Sequence, residues 1–172
     1  MPSWLKQLSR CGTPSEAAPA AWKTAPVGRP SGTVTFLFTD VENSTAWWDR
    51  HPGEMREALA RHDRILNQAV TAHAGFVFSH GGDGVGVAFQ RAGDAVGAAV
   101  EAQRALLAET WPPGLELRVR MGLHTGEADE RDGDYFGPPL NRAARLMSAA
   151  HGGQILVSAT TAEMLWSATG IA

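Results

Sequence analysis

The sequence predicts an α+β fold: a mainly antiparallel sheet with helices packed on one face, ferredoxin-like βαββαβ in order at its centre. Three observations predict it. Short runs of β-branched and aromatic residues alternate with stretches of helical periodicity. Two of those runs are joined by the glycine-rich turn His80-Gly81-Gly82-Asp83-Gly84, a hairpin signal. The elements follow one another as strand, helix, hairpin, helix, strand, helix, strand, which favours helices layered on a sheet.

Taken in order, residues 33–39 (TVTFLFT) are almost without polarity, as a strand central in a sheet requires. Met55, Leu59, His62, Leu66, Ala69, Val70 and His73 recur at three- and four-residue steps and draw one helical stripe between about residues 54 and 74. His62 and His73 share that stripe but stand about three turns, some 16 Å, apart, so they are expected to be hydrogen-bonded packing residues rather than joint ligands. The hairpin occupies residues 75–90. A second amphipathic helix runs from Ala92 to Thr110 and is stopped by Pro112-Pro113. Residues 115–123 alternate apolar with charged and predict a half-exposed strand. Residues 129–134 (DERDGD) read as an acidic turn. A helix opens at Pro138 and ends before Gly152-Gly153, residues 153–158 form a further strand, and a short helix spans 160–166.

Composition limits the possibilities. The chain has 172 residues, 44% of them hydrophobic, enough for one domain with a core. Five of the ten prolines lie in the first 30 residues among several alanines, so residues 1–31 read as a leader or linker and 32–172 as the domain. The formal charge of -3 is unevenly spread. Lys6, Arg10, Lys23 and Arg29 outnumber Glu16 in the leader, and the remainder is strongly acidic. An acidic domain is a poor match for nucleic acid, whose binding draws on cations. No lysine follows Lys23, so an anion bound by the domain must be met by arginine or by backbone amides. Cys11 alone can neither close an intrachain disulfide nor build a cysteine zinc site. No apolar run is long enough to span a bilayer or serve as a secretory signal, and a cytoplasmic protein is expected.

The chemistry gathers at a few positions. Asp40 ends the first strand and Asp83 sits at the hairpin tip, and a ferredoxin-like sheet brings those two ends side by side. Two aspartates so placed suit a pair of hard divalent cations carrying a triphosphate. Taken singly, Asp83 also fits a plain turn former and Asp40 a helix cap; their joint placement favours metal. Asn43 tolerates left-handed backbone, and Ser44 and Thr45 open a helix whose amides suit an anion. Asn141 and Arg145, four apart on the later helix, leave it by one face, suited to orienting a sugar and meeting charge on a phosphoryl group. A solvated helix face is the plainer alternative. His124 and Ser158 read as strand packing positions without a partner arrangement, so no nucleophilic triad is expected.

In this order and spacing, the blocks FTDVENST, GGDGVGVAF, RVRMGLHTGEA, DYFGPPLNRAARL and GGQILVS resemble the catalytic domain of class III adenylate and guanylate cyclases, of the compact bacterial or mycobacterial type. The resemblance runs from about residue 33 to 161. It implies a head-to-tail homodimer with composite sites that take a nucleoside triphosphate, ATP before GTP, to a 3′,5′-cyclic nucleotide and pyrophosphate. Asp40 and Asp83 match the two metal aspartates, which hold two Mg²⁺ or Mn²⁺ with the Val41 carbonyl as a further ligand. Asn141 matches the ribose-positioning asparagine and Arg145 the transition-state arginine, both lent by the second subunit. Asp134 matches the purine-reading acid. Ser79 stands where the family has a purine-reading lysine, and Asn43 where it has a glycine. Relatives continue into two further strands, so the domain is expected to be short at its C-terminal end. A second reading, a catalytically weak nucleotide-binding or dimerisation module, rests on Ser79 and that short end.

Overall fold

The computed structural model describes residues 28–131 and 134–169. The first strand, β1 (Thr33–Val41), lies at the centre of a five-stranded sheet. After it come α1 (Ser44–Arg50), α2 (Pro52–Ala72), β2 (Phe76–Gly81), β3 (Gly84–Phe89), α3 (Ala92–Ala108) and β4 (Val119–Glu127). The chain continues through β5 (Asp129–Arg131), β6 (Asp134–Phe136), α4 (Pro138–Ala149), β7 (Ile155–Val157) and α5 (Ala159–Thr169). The sheet order is β2-β3-β1-β4-β7. Its first four members pair antiparallel in ferredoxin-like order, and β7 joins β4 in parallel. The α+β class expected from the sequence is the one observed.

Side chains alternate across β1, and each set has its own core. Leu37 and Val41 join Met55, Leu66, Ala69, Ala95, Ala99 and Leu106 beneath α2 and α3. Val34, Phe36 and Phe38 join Leu140, Ala143, Ala144 and Met147 of α4 on the opposite face. The expectation of helices on one face is therefore corrected: α2 and α3 cover one side of the sheet, and α4 covers part of the other. The stretch read as half-exposed, β4, is corrected with it. Its outward residues Gly122 and His124 are buried because α4 lies on them. Leu115 and Leu117 are buried too, but ahead of the strand.

The stretch read as an acidic turn is a two-stranded ribbon, β5 with β6, whose tip at residues 132–133 lies outside the described residues. Tyr135 anchors it. Only 2% exposed, Tyr135 stands edge-on to Phe36 and Phe78 and donates its hydroxyl hydrogen to the carbonyl of Pro30 at 2.5 Å. Burial, reinforced by the nearby Glu130 charge, pushes its phenol up to about 12. Arg29 lies over the Phe76 and Tyr135 rings, so residues 29 and 30 already pack on the domain. The rest of the proline-rich leader, residues 1–27, lies outside the described residues.

Helix α4 approaches the sheet closely at one point. A Cβ at Gly122 would fall onto the backbone of Met147 and Ala143, so the absence of a side chain there sets the spacing between helix and strand. Gly122→Ala should destabilise the fold by about 3 kcal/mol or prevent it, read by chemical denaturation. Gly93→Ala, at an open helical position with nothing within 4 Å, should be neutral or stabilising by about 0.5 kcal/mol.

Candidate active site

The register of the central strands decides which polar groups meet. Thr39 of β1 pairs with Val85 of β3, and two residues further along each strand come Val41 and Asp83. Asp40 and the Gly82-Asp83 turn therefore stand at the same end of the sheet, as expected. Asp40 is only 3% exposed and lies on the α4 side of the sheet, with Phe38. Directly opposite it on β4 is Arg120, whose guanidinium donates to Asp40 Oδ2 from Nε at 3.0 Å and from Nη2 at 2.5 Å. Asp83 carries a buried Oδ2 that accepts no hydrogen bond among the described residues. Such an orphaned carboxylate oxygen, at the same sheet end as the buried Asp40 carboxylate, is a donor set that fits a hard cation. Among the described residues no group of three or more His, Cys, Asp or Glu side chains is arranged to hold a metal ion, so the aspartate pair and backbone oxygens are what this end of the sheet offers.

Arg120 was not singled out by the sequence reading. Its signal was present: an arginine in Arg118-Val119-Arg120, on a strand that antiparallel pairing sets beside Asp40, makes an opposite-charge cross-strand pair.

The loop after β1 behaves as its residues predict. Asn43 adopts the left-handed conformation, φ 58°, and α1 starts at Ser44 with Thr45 next. Asp40 is no helix cap, being held by Arg120 instead. In β2, a bulge between Val77 and Ser79 turns Ser79 onto Gly86, whose neighbour on β1 is Phe38; Ser79 thus joins the Asp40 face. Asp134 is half-buried on β6, where Oδ1 accepts the amide of Tyr135 at 3.0 Å.

Helix α4 presents Asn141 and Arg145 to solvent while Leu140, Ala143, Ala144 and Met147 face the sheet. The single chain therefore gathers Asp40, Asp83 and Arg120 at the sheet end and keeps Asn141 and Arg145 on the outer side of a helix. A cleft of about 510 Å³ opens beside the metal candidates rather than on them, lined by Glu42, Asn43, Trp47, Glu116 and Arg118.

His62 of α2 and His73, which caps its C-terminal end, are packing residues. His62 bonds Asp63 Oδ1 through Nδ1 at 2.9 Å, and His73 bonds Glu101 at 3.0 Å. His124 and Ser158 are partnered after all: His124 Nδ1 lies 2.9 Å from Ser158 Oγ, which continues to Thr161, Thr125 and Thr35. Parallel pairing of β7 with β4 brings Ser158 there, where its amide bonds the Leu123 carbonyl. The network runs through hydroxyls, not a carboxylate, and so makes no catalytic triad.

The chain belongs to the adenylate and guanylate cyclase catalytic domain family, whose model matches residues 27–171. An uncharacterised protein of Mycobacterium tuberculosis is 44% identical over 138 residues, covering 79% of this chain and 46% of that protein. The chain thus spans about half the length of its mycobacterial relative. The adenylate cyclase of Schizosaccharomyces pombe is 34% identical over 164 residues, 81% of this chain but 10% of the yeast protein. Among solved structures, an adenylate cyclase from Trypanosoma brucei in its monomeric state superposes with a TM-score of 0.71 at 30% identity, covering 80% of this chain and 78% of that one. The adenylyl cyclase CyaB from P. aeruginosa, at 23% identity and a TM-score of 0.66, shares the fold.

Burial, and then the charge of Arg142, hold the His124 imidazole below the usual histidine range. A histidine that binds its proton less readily when folded stabilises the native state above its unfolded pKa of about 6.5, and that contribution is lost as the pH falls through the lower folded value. The urea midpoint should therefore drop on acidification from pH 7 to 5.5, and the drop should be smaller in His124→Gln.

Proposed function

We propose that this domain is a nucleotidyl cyclase that converts ATP, in preference to GTP, to the 3′,5′-cyclic nucleotide and pyrophosphate, acting in the cytoplasm in intracellular signalling. The observation that carries the reading is the buried Asp40 at the same sheet end as Asp83, whose buried Oδ2 has no hydrogen-bond partner among the described residues. Family membership and the adenylate cyclases among its relatives support the reaction class.

Asp40, Asp83 and the Val41 carbonyl would hold two Mg²⁺ or Mn²⁺. When bound, these ions lower the pKa of the attacking 3′-hydroxyl and neutralise the departing pyrophosphate. The chain's own groups do the rest. Amides at Asn43, Ser44 and Thr45 face the triphosphate, and Arg120 is the guanidinium placed to meet its anionic oxygens in a domain without lysine. Asn141 orients the ribose and Arg145 meets charge developing on the α-phosphoryl group. Both stand on the solvent side of α4, so they serve a second protomer's metal half, which supports a head-to-tail homodimer. Asp134 and Ser79 read the purine edge, with Asp134 tilting the choice to ATP. The second reading, a weak or inactive nucleotide-binding module, draws on Ser79 and on the occupation of Asp40 by Arg120.

Purified protein with Mn²⁺ should form cyclic nucleotide from ATP faster than from GTP, and Asp40→Ala should lower the rate at least a hundredfold. No product from either nucleotide at high protein concentration would leave the module reading. Mixing Asp83→Ala with Asn141→Ala chains should restore activity through one intact composite site. Arg120→Ala removes the guanidinium that donates twice to the buried Asp40 carboxylate and should cost about 3 kcal/mol in metal-free protein. Added Mn²⁺ should then raise its melting temperature more than that of the parent.

A further inference from the structure

Glu42 lies outside both the metal candidates and the purine-reading residues, yet the structure uses it to join two otherwise separate turns. Its amide donates to the Arg118 carbonyl at 2.9 Å, extending the β1–β4 ladder one step past Val41. Its carboxylate then reaches across to the turn between α4 and β7, where Oε1 accepts the Gly152 amide at 3.1 Å and lies 3.9 Å from His151 Nδ1. The fit is close enough to exclude a side chain at Gly152. A Cβ there would stand 2.8 Å from Glu42 Oε2 and 2.5 Å from Arg118 Cβ. The α4–β7 turn is itself firmly built: the Gly153 amide donates to the Val119 carbonyl at 2.8 Å, and the His151 amide to Gln154 Oε1 at 2.9 Å.

The two turns belong to different halves of the chemistry. Glu42 follows Asp40 and Val41 and precedes Asn43, Ser44 and Thr45. Gly152 follows α4, a single twelve-residue helix that carries Asn141 and Arg145 at its fourth and eighth positions. A packed helix moves as a unit, so a shift at its C-terminal turn is felt at its N-terminal end.

We propose that Glu42 is a positioning residue that ties the metal-bearing turn of one composite site to the helix that serves the other, so that each protomer couples the two sites of the dimer. This rests on the composite-site reading above. The carboxylate touches no reacting atom; it acts through Gly152 and α4.

The mixed-chain assay isolates this role. In the pair of Asp83→Ala and Asn141→Ala chains, the intact site takes its metal half from the Asn141→Ala chain and α4 from the Asp83→Ala chain. Adding Glu42→Ala to the Asp83→Ala chain, whose own metal half is already disabled, should lower kcat of the pair fivefold or more with KM changed less than twofold. Glu42→Gln on the same chain keeps an acceptor for the Gly152 amide and should retain the parent rate. An unchanged rate with Glu42→Ala, or an equal loss with Glu42→Gln, overturns the proposal. A pair that regains no activity even without a Glu42 change overturns the composite-site reading itself, and the proposal with it. Hydrogen exchange gives the readout independent of turnover. The Gly152 amide should exchange about fivefold faster in Glu42→Ala, as loss of roughly one hydrogen bond implies, while β1 and β4 amides hold their rates. Acceleration across all of them would mean that Glu42 supports only overall stability and would refute the positioning role.

Discussion

The position of β1 within the sheet, fixed to the residue, is the constraint on which both fold and site depend. A strand alternates its side chains, so a slip of one residue would exchange its two faces. Here the exchange would carry Asp40 into the apolar layer under α2 and α3 and lift Leu37 and Val41 out of it. Burying an unpaired carboxylate costs several kcal/mol, and the displaced aliphatics would add to that. The two cores therefore hold a single register between them: Leu37 and Val41 on one side, Phe36 and Phe38 on the other. The placement of Asp40 opposite Arg120, at the end where the β2–β3 turn presents Asp83, follows from the packing of residues that take no part in chemistry.

Charge adds a second constraint. The domain is acidic and, beyond Lys23, without lysine, so its buried carboxylates must find arginine, backbone amides or a metal ion. Asp40 finds Arg120 across the strand pair, and Glu42 finds the Gly152 amide. Asp63 is met by His62 and His80. Burial alone would raise its carboxyl, but hydrogen bonds from these two histidines hold it below the usual range. Asp83 differs in keeping a buried oxygen that none of the described residues satisfies. That difference sets the hairpin tip apart from the other carboxylates of the domain.

Much of this was legible in the sequence because its signals are local. The run from Thr33 to Thr39, the glycine-rich hairpin turn and the stripe of α2 each announce their own element, and Asn43 before Ser44 announces a left-handed entry into α1. What stayed hidden depends on pairing between distant segments. The alternation along β4 reads as half-exposed until α4 is seen lying on Gly122 and His124. Ser158 appears unpartnered until β7 runs parallel to β4 and sets it beside His124, 34 residues back in the chain. Arg120 and Glu42 look like ordinary strand-end charges until the register gives each its partner, 80 and 110 residues away in sequence.

The arrangement of α4 is what makes one chain half a site under the proposed composite reading. Leu140, Ala143, Ala144 and Met147 must face the sheet, because the glycine at 122 brings the helix backbone down to β4 and leaves no space for a polar layer between them. With a period of 3.6 residues, that inward stripe directs Asn141 and Arg145 outward. Turning the helix to bring them inward would bury an amide and a guanidinium in an aromatic core and expose Met147. The protomer thus holds Asp40 and Asp83 on one surface and Asn141 and Arg145 on another that its own packing keeps apart, and the proposed homodimer joins them by setting the sheet end of one copy against the helix of another. On this view the close fit at Gly122 and the charge pair at Asp40 serve one end: each copy holds half a site rigidly, so that association has only to bring two finished halves together.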